Sequence, residues 1–327
     1  MVKTLTRLLT NPTSLTGLVL LVAFAFVAAA APWIAPPPAN ARDPYMIPRD
    51  GFSIEPEAPS SEHRLGTTEG QYDIFYGVVW GTRTAFRIGV VITICTAIIG
   101  LTIGSVGAYY GGWLDDVLMR ITEVFQAFPF LLAAITLTSV LQTIYGRGEA
   151  GALMFVAKML AVVTFGHNPT KGVDPVQLQI LTGMLAIIAF GWMTYARVIR
   201  GNLMVVREEE YALAARAIGA GDLRILLRHL LPNAVFPVLV IASMNTGSYV
   251  LTFAALSFLG LGAQRGYADW GQMINFARNW IPSLAQHWHI VTYPGLAIVL
   301  FVLAWNLVGD ALRDILDPRM RGKDAGF

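Results

Sequence analysis

Two imidazoles one residue apart, His287 and His289, flank Trp288, and with Asp269 and His63 they are the residues best suited to holding a metal. A metal site needs converging ligands, and a His-x-His pair in a tryptophan-rich stretch fits a membrane interface better, so no metal ligand is assigned. Asp310 and Asp314, with Arg313 and Arg319, could relay protons only from the middle of a membrane span. They lie at the end of the last apolar run and read as inter-subunit salt bridges or helix caps. Asn245, Thr246, Ser248, Tyr249 and Thr252 set an amide and four hydroxyls along one apolar run. Such groups line a solute pathway or hydrogen-bond between helices, and both readings stay open. Cys95, the single cysteine, excludes an internal disulfide and reads as a small buried hydrophobe. GxSxG, HExxH and P-loop patterns do not occur, nor do acidic pairs spaced for catalysis. No catalytic residue and no bound cofactor are assigned.

A different kind of chemistry is concentrated between Arg207 and Pro232, a charged stretch between two long apolar segments. Glu208, Glu209 and Glu210 suit the positive end of a helix. Ala212, Ala214, Ala215 and Ala217 then favour helix with almost no side-chain bulk. Gly219 is placed to stop that helix, Asp222 to cap a second, and Pro232 to end it. The resulting small, flat surface would admit another protein's groove close to the backbone. Arg216, Arg224, Arg228 and His229 could meet acidic groups there.

The elements that position these residues are membrane spans. Of 327 residues 55% are hydrophobic and only 13% charged, far too apolar for a soluble domain. Apolar runs of about 18 residues or more cross a bilayer as helices. The first is Leu15 to Ala31, closed by Pro32 and too long for a signal-peptide core. A proline-rich polar interval, 35–83, follows as an external loop with little regular structure. The second span runs from Phe86 to Tyr110, where Gly100 and Gly104 permit a close helix contact and Gly111-Gly112 stops it. An amphipathic link, Trp113 to Glu123, enters a third span from Val124 to about Ile144, kinked at Pro129. Further spans are Leu178 to Tyr195, Ala234 to Leu261 and Val291 to Val308. Trp270, Trp280 and Trp288 mark an interface before the last. The segment Ala152 to Phe165, with Lys158 inside it and Gly166-His167-Asn168-Pro169 after it, is short for a crossing.

With six spans the termini share a side. Lys3, Arg7, Arg120, the arginines from Arg197 to Arg228, and Arg313, Arg319, Arg321 and Lys323 all fall there. The opposite side holds Arg42, Arg49, Arg64, Arg147, Lys171, Arg265 and Arg278 over longer loops. The positive-inside rule makes the first side cytoplasmic. A crossing by Ala152 to Phe165 would break this agreement, so that helix is placed outside as interfacial or re-entrant. Few ionisable residues lie between the ends of spans two to six, which argues against a proton-coupled carrier.

Ala214-Ala215, Gly219 and Leu231-Pro232 resemble the EAA loop of ABC importer permeases, with Leu213 in place of the eponymous Glu and His229 in place of an Ile. The likeness widens to most of the chain. His63 to Thr67 with Trp80 to Thr84, Gly111 to Asp116 with Met119-Arg120 and Ala127-Phe128-Pro129, and Pro294 to Ala297 with Asn306 to Asp310 and Leu316 to Arg319 are similar to the dipeptide, oligopeptide and nickel permeases, in particular their second, C-type subunit.

That resemblance implies an all-α integral membrane fold of the type I importer kind, with six transmembrane helices and cytoplasmic termini. It divides the chain into a first segment and helix, 1–34, the external loop 35–83, and a core of five helices, 84–318. The core carries an external insert, 146–177, and a cytoplasmic coupling loop, 207–232; a cytoplasmic tail, 319–327, closes the chain. Ala214, Ala215, Arg216, Gly219, Asp222 and Pro232 would couple to an ATPase. The implied partners are a homologous permease, two ATPase subunits carrying ATP and Mg, an external solute-binding protein and the lipid bilayer of a bacterial or archaeal cytoplasmic membrane; nucleic acid is not among them. The implied function is ATP-driven peptide import by alternating access. A secondary transporter or channel, or the same architecture carrying nickel or another small solute, is the alternative.

Overall fold

A computed structural model describes residues 11–51, 53–147, 151–166 and 173–316, and helices dominate it. Lys3, Arg7, His167, Asn168, Pro169, Lys171, Arg319, Arg321 and Lys323 lie outside the described residues. Helix α1 spans Pro12–Ile34, started by Asn11, whose side chain accepts from the Thr13 N–H. Pro32 sits inside it instead of closing it. A proline forfeits only its own bond one turn back, and the Ala35 N–H still closes on the Ala31 carbonyl at 2.9 Å.

Helix α2 covers Ile74–Tyr110, so the polar interval ends at Asp73, well before Arg83. Two contacts start the helix early, one local and one across the chain. The Asp73 carboxylate caps it by accepting from the Tyr76 N–H at 2.7 Å. Trp80 is buried and donates from Nε1 to the Ala35 carbonyl at 2.9 Å. At 37 residues α2 is about 55 Å long, nearly twice the hydrocarbon thickness of a bilayer. Gly111, at φ 66°, ends it as expected.

Helix α3, Gly112–Gln126, and helix α4, Phe130–Gly146, meet at an 88° bend. Pro129 therefore separates two helices where the sequence suggests one kinked span, and residues 124–126 belong to the link. Helix α5, Gly151–Phe165, is 15 residues, about 22 Å, and short of the hydrocarbon thickness. Asp174 caps α6, Pro175–Gly191, which breaks at Trp192 and resumes as α7, Met193–Val206. The span thus starts before Leu178 and continues through Arg197 and Arg200.

After α7 come α8, Glu210–Ala217, and a run of α9, Asp222–Arg224, a π-helical turn at Ile225–Leu230 and α10, Leu231–Ala234. Helix α11 is Phe236–Phe258, α12 is Trp270–Asn275 with a 3-10 continuation at Phe276–Ser283, and α13 is His289–Leu316. Among the described residues five helices are long and apolar enough to cross a membrane, or six when the bent α3–α4 pair counts as one span.

Close backbone approach organises the packing. A Cβ at Gly100 would lie 2.5 Å from the Trp192 carbonyl oxygen, and one at Gly104 would overlap the Ala196 carbonyl. These two glycines let α2 lie against α7 as their spacing implies. Gly247 of α11 sits against Val302 of α13, and Gly17 of α1 against Leu307. Trp270, assigned to an interface from sequence, is 2% exposed and packs tilted against Phe24 and edge-to-face with Phe301, with Nε1 donating to the Val78 carbonyl. Burial wins because the indole has both a ring pocket and an acceptor there.

Candidate functional site

The 207–232 segment forms around Gly219. Its φ of 79° is a left-handed geometry that a side chain resists. The Gly219 N–H bonds the Arg216 carbonyl at 2.9 Å and the Ala220 N–H the Ala215 carbonyl at 3.1 Å. This paired C-terminal closure satisfies carbonyls that the end of α8 leaves free. Ala212 and Ala215 are buried against the chain's own helices, while Ala214, Arg216 and Ala217 face outward. Ala215 is therefore a packing residue in this chain and not part of the outward face. Leu213, Ile218, Leu223 and Leu227 are exposed, Ile218 by 85%, and give that face an apolar character that the alanines alone would not.

Asp222 is the first residue of α9; the capping position belongs to Gly221. The Asp222 carboxylate instead accepts from the Tyr109 hydroxyl at 2.7 Å, and Arg216 reaches the same hydroxyl. Pro232 does not end the second helix. It lies in α10, and the chain runs on into α11. A proline cannot donate to the carbonyl one turn back and its ring crowds that carbonyl. The π turn just before it absorbs the mismatch, with the Leu231 N–H bonding Leu226 five residues back.

Above this segment, the α3–α4 bend, the α6–α7 break and the polar stripe of α11 converge on a cleft of about 370 Å³. Asn245, Ser248, Tyr249 and Thr252 line it, facing Gln126, Phe128 and Phe130 and the Phe190–Thr194 break. Thr246 is not among the lining residues; its hydroxyl is buried 3.0 Å from that of Thr93 on α2, an interhelical hydrogen bond. Asn245 donates to the Tyr195 hydroxyl at 3.1 Å, and the Tyr249 hydroxyl to the Gly191 carbonyl at 3.1 Å. That carbonyl is available because α6 breaks there. The sequence reading missed Gln126, Phe128, Phe130 and Thr194, whose only signals were Pro129 and the abrupt change from apolar to Arg-bearing residues after Gly191.

On the other side of the bundle the loop before α2 is folded down. Glu69 receives Arg265 at 2.6 Å, Asn279 at 2.8 Å and Trp280 at 3.2 Å. Burial would raise the Glu69 carboxyl, but these three donors outweigh it and hold it below the usual range. His63 sits 2.8 Å from Asp73 and 3.5 Å from Asp50. Burial disfavours its imidazolium, yet the Asp73 hydrogen bond and the surrounding carboxylates raise its pKa above the ordinary value. Asp269 caps α12 through the Gln272 N–H at 2.9 Å, and burial pushes it up to about 6. His287 faces Ser283 and His289 is buried beside Gly66. Among the described residues no three His, Cys, Asp or Glu side chains converge on one point.

Residues 97–322 match the family described as a binding-protein-dependent transport system inner membrane component, and residues 2–52 match the N-terminal TM domain of oligopeptide transport permease C. A glutathione transport system permease protein of Pectobacterium atrosepticum is 36% identical over 282 residues, 85% of this chain and 81% of its own length. A dipeptide transport system permease protein of Alkalihalophilus pseudofirmus is 32% identical over 311 residues, 95% of this chain and 87% of its own. A glutathione transport system permease protein of Escherichia coli is 35% identical over 309 residues, 94% and 87% of the two chains.

Proposed function

Since the chain belongs to the family of binding-protein-dependent inner membrane transport components, as a multi-pass permease of the peptide and oligopeptide ABC importers, we propose that it is the C-type subunit of an importer of short peptides. A homologous permease completes the pathway, an external binding protein delivers cargo, and two ATPase subunits holding ATP and Mg drive the cycle. The chain itself performs no hydrolysis. The 207–232 segment, both termini and the end of α13 face the cytoplasm, while the 35–73 loop, α5 and α12 face outward.

One observation carries this reading. Leu213, Ile218, Leu223 and Leu227 form an exposed apolar face on a helix pair pinned by the Gly219 closure. Such a face outside the bilayer calls for a protein partner, and a rigid pair of helices can move as one body when that partner closes. The cleft supports peptide as the cargo. Amide, hydroxyl and aromatic groups suit a peptide backbone and its side chains, whereas a bare divalent cation needs carboxylate, imidazole or thiolate ligands, which the cleft lining lacks. Glutathione, the cargo for which two of the relatives are named, is within this class.

The test is uptake into vesicles that contain the whole complex. With ATP inside and loaded binding protein outside, labelled di- and tripeptides should accumulate. Uptake that persists without ATP, driven by an ion gradient alone, would mean a secondary transporter.

A further inference from the structure

Two contacts outside the cleft and the outward face tie the 207–232 segment to the end of α2, and an ion pair beside them joins α7 to α3. The Tyr109 hydroxyl, at the end of α2, donates to Asp222 at 2.7 Å and is also reached by Arg216. Arg207, just after α7, donates from Nη1 to the Ala108 carbonyl at 2.9 Å. Arg200 of α7 grips Asp115 of α3 with two parallel bonds, Nε at 2.7 Å and Nη2 at 2.6 Å. The Asp115 side chain is only 7% exposed, so this two-pronged pair is held away from most of the solvent that weakens surface ion pairs.

These contacts converge on one place, the Tyr109–Asp115 turn where α2 becomes α3. The turn itself leaves little freedom. Gly111 and Gly112 both have positive φ, and a Cβ on Gly107 would come within 2.9 Å of the Asp115 carboxylate. From there α3 runs to the 88° bend, beyond which Phe128 and Phe130 line the cleft. A displacement of the segment is thus handed to α3 through charged hydrogen bonds, and α3 is the lever arm whose far end carries two of the cleft's aromatic rings.

We propose that Tyr109, Arg207 and the Asp115–Arg200 pair are positioning residues that pass movement of the 207–232 segment through α3 to the cleft. The inference rests on the reading of that segment as the ATPase-docking element. Tyr109 is the joint in direct contact with the segment, and Asp115–Arg200 keeps α3 and α7 moving together. Neither touches cargo or nucleotide, so their loss separates ATP hydrolysis from transport without blocking either partner's binding.

The experiment uses the full complex in nanodiscs and vesicles. Tyr109→Phe removes a single oxygen at a largely solvated site, so the chain folds. A hydrogen bond to a carboxylate shifts an equilibrium by about tenfold or more. Peptides carried per ATP hydrolysed should therefore fall by about that factor in the Tyr109→Phe complex. Asp115→Asn with Arg200→Gln, which removes both charges and leaves neither unpaired, should lower the same ratio. A cysteine at Ile218 should cross-link to the ATPase subunit in the wild-type and both variant complexes. If it cross-links and the ratio stays at the wild-type value, the brace is overturned and the docking reading stands. If it fails to cross-link even in the wild-type complex, the docking reading falls and the brace falls with it. A purely structural role would lower complex yield and leave the ratio unchanged, which also overturns the proposal.

Discussion

At Gly219 and Gly104 the absence of a side chain serves two different physical needs. Gly219 has φ 79° and nothing within 4 Å of where a Cβ would stand, so its constraint is conformational. Gly219→Ala should cost about 1 kcal/mol locally and leave insertion intact. Gly219→Asp adds a charge at the proposed docking face and should abolish transport while the chain still inserts normally. Gly104 is held between α2 and the α7 backbone, where no flexible side chain can yield. Gly104→Ala should destabilise the detergent-extracted protein by about 1–3 kcal/mol, read from its unfolding midpoint, through overpacking. Reversed sensitivities at the two glycines would sink this account. His63 offers a titration. Its folded pKa is raised, so the stabilisation it brings the loop is complete below its ordinary value of about 6.5 and fades as pH rises through the raised value. Amide protection factors over residues 60–74, with the intrinsic pH dependence of exchange divided out, should be higher at pH 6 than at pH 8.5. Asp73→Asn keeps a capping oxygen for Tyr76 but removes the charge, and should flatten that dependence.

Among the elements, α5 and the π turn show how a break in the regular pattern is settled by neighbours. Helix α5 buries Ala157, Leu160, Ala161 and Thr164 and packs against α6, although at 15 residues it is short for a crossing. With Cys95 replaced, single cysteines at Ala150 and Thr170 should both react with an impermeant thiol reagent added outside. Accessibility from opposite sides would make α5 a seventh crossing and reverse the orientation of everything after it. The π turn before Pro232 has the opposite character, being a local device with a distant result. By accommodating the proline, it carries the chain from the exposed face through α10 to Val235, one residue before α11 begins.

For the whole molecule the defining question is the energy source. Transport in proteoliposomes should stop when ATP is depleted with the proton gradient clamped, and should survive collapse of the gradient with ATP present. The opposite pattern would remove the permease reading altogether. The bundle bears on this through what its spans lack. Asp115 at the α2–α3 turn and Arg200 of α7 form a partly buried ion pair and already satisfy each other, and the cleft is lined without a carboxylate or imidazole. A proton-coupled carrier would need such a group inside.

Length, apolar runs and the spacing of small residues decided the membrane class, the number of candidate spans, the Gly100–Gly104 contact and the helix stop at Gly219, because each depends on residues close together in the chain. Composition likewise separated the Arg207–Pro232 stretch from its apolar neighbours. The early start of α2, the course of the helix through Pro32 and Pro232, and the burial of Trp270 were invisible at that level. The start of α2 and the burial of Trp270 depend on an acceptor or a ring supplied from far away in sequence, the Ala35 carbonyl for Trp80 and Phe301 for Trp270, while the two prolines are accommodated by backbone geometry that composition does not display. The same holds within the polar stripe of α11. Neighbouring hydroxyls and amides there are chemically alike, and only the placement of Thr93 on α2 turns Thr246 inward to a hydrogen bond while Ser248 is left open to the cleft. Which face of a helix meets a neighbour is a property of the packed bundle, and no local pattern of side chains contains it.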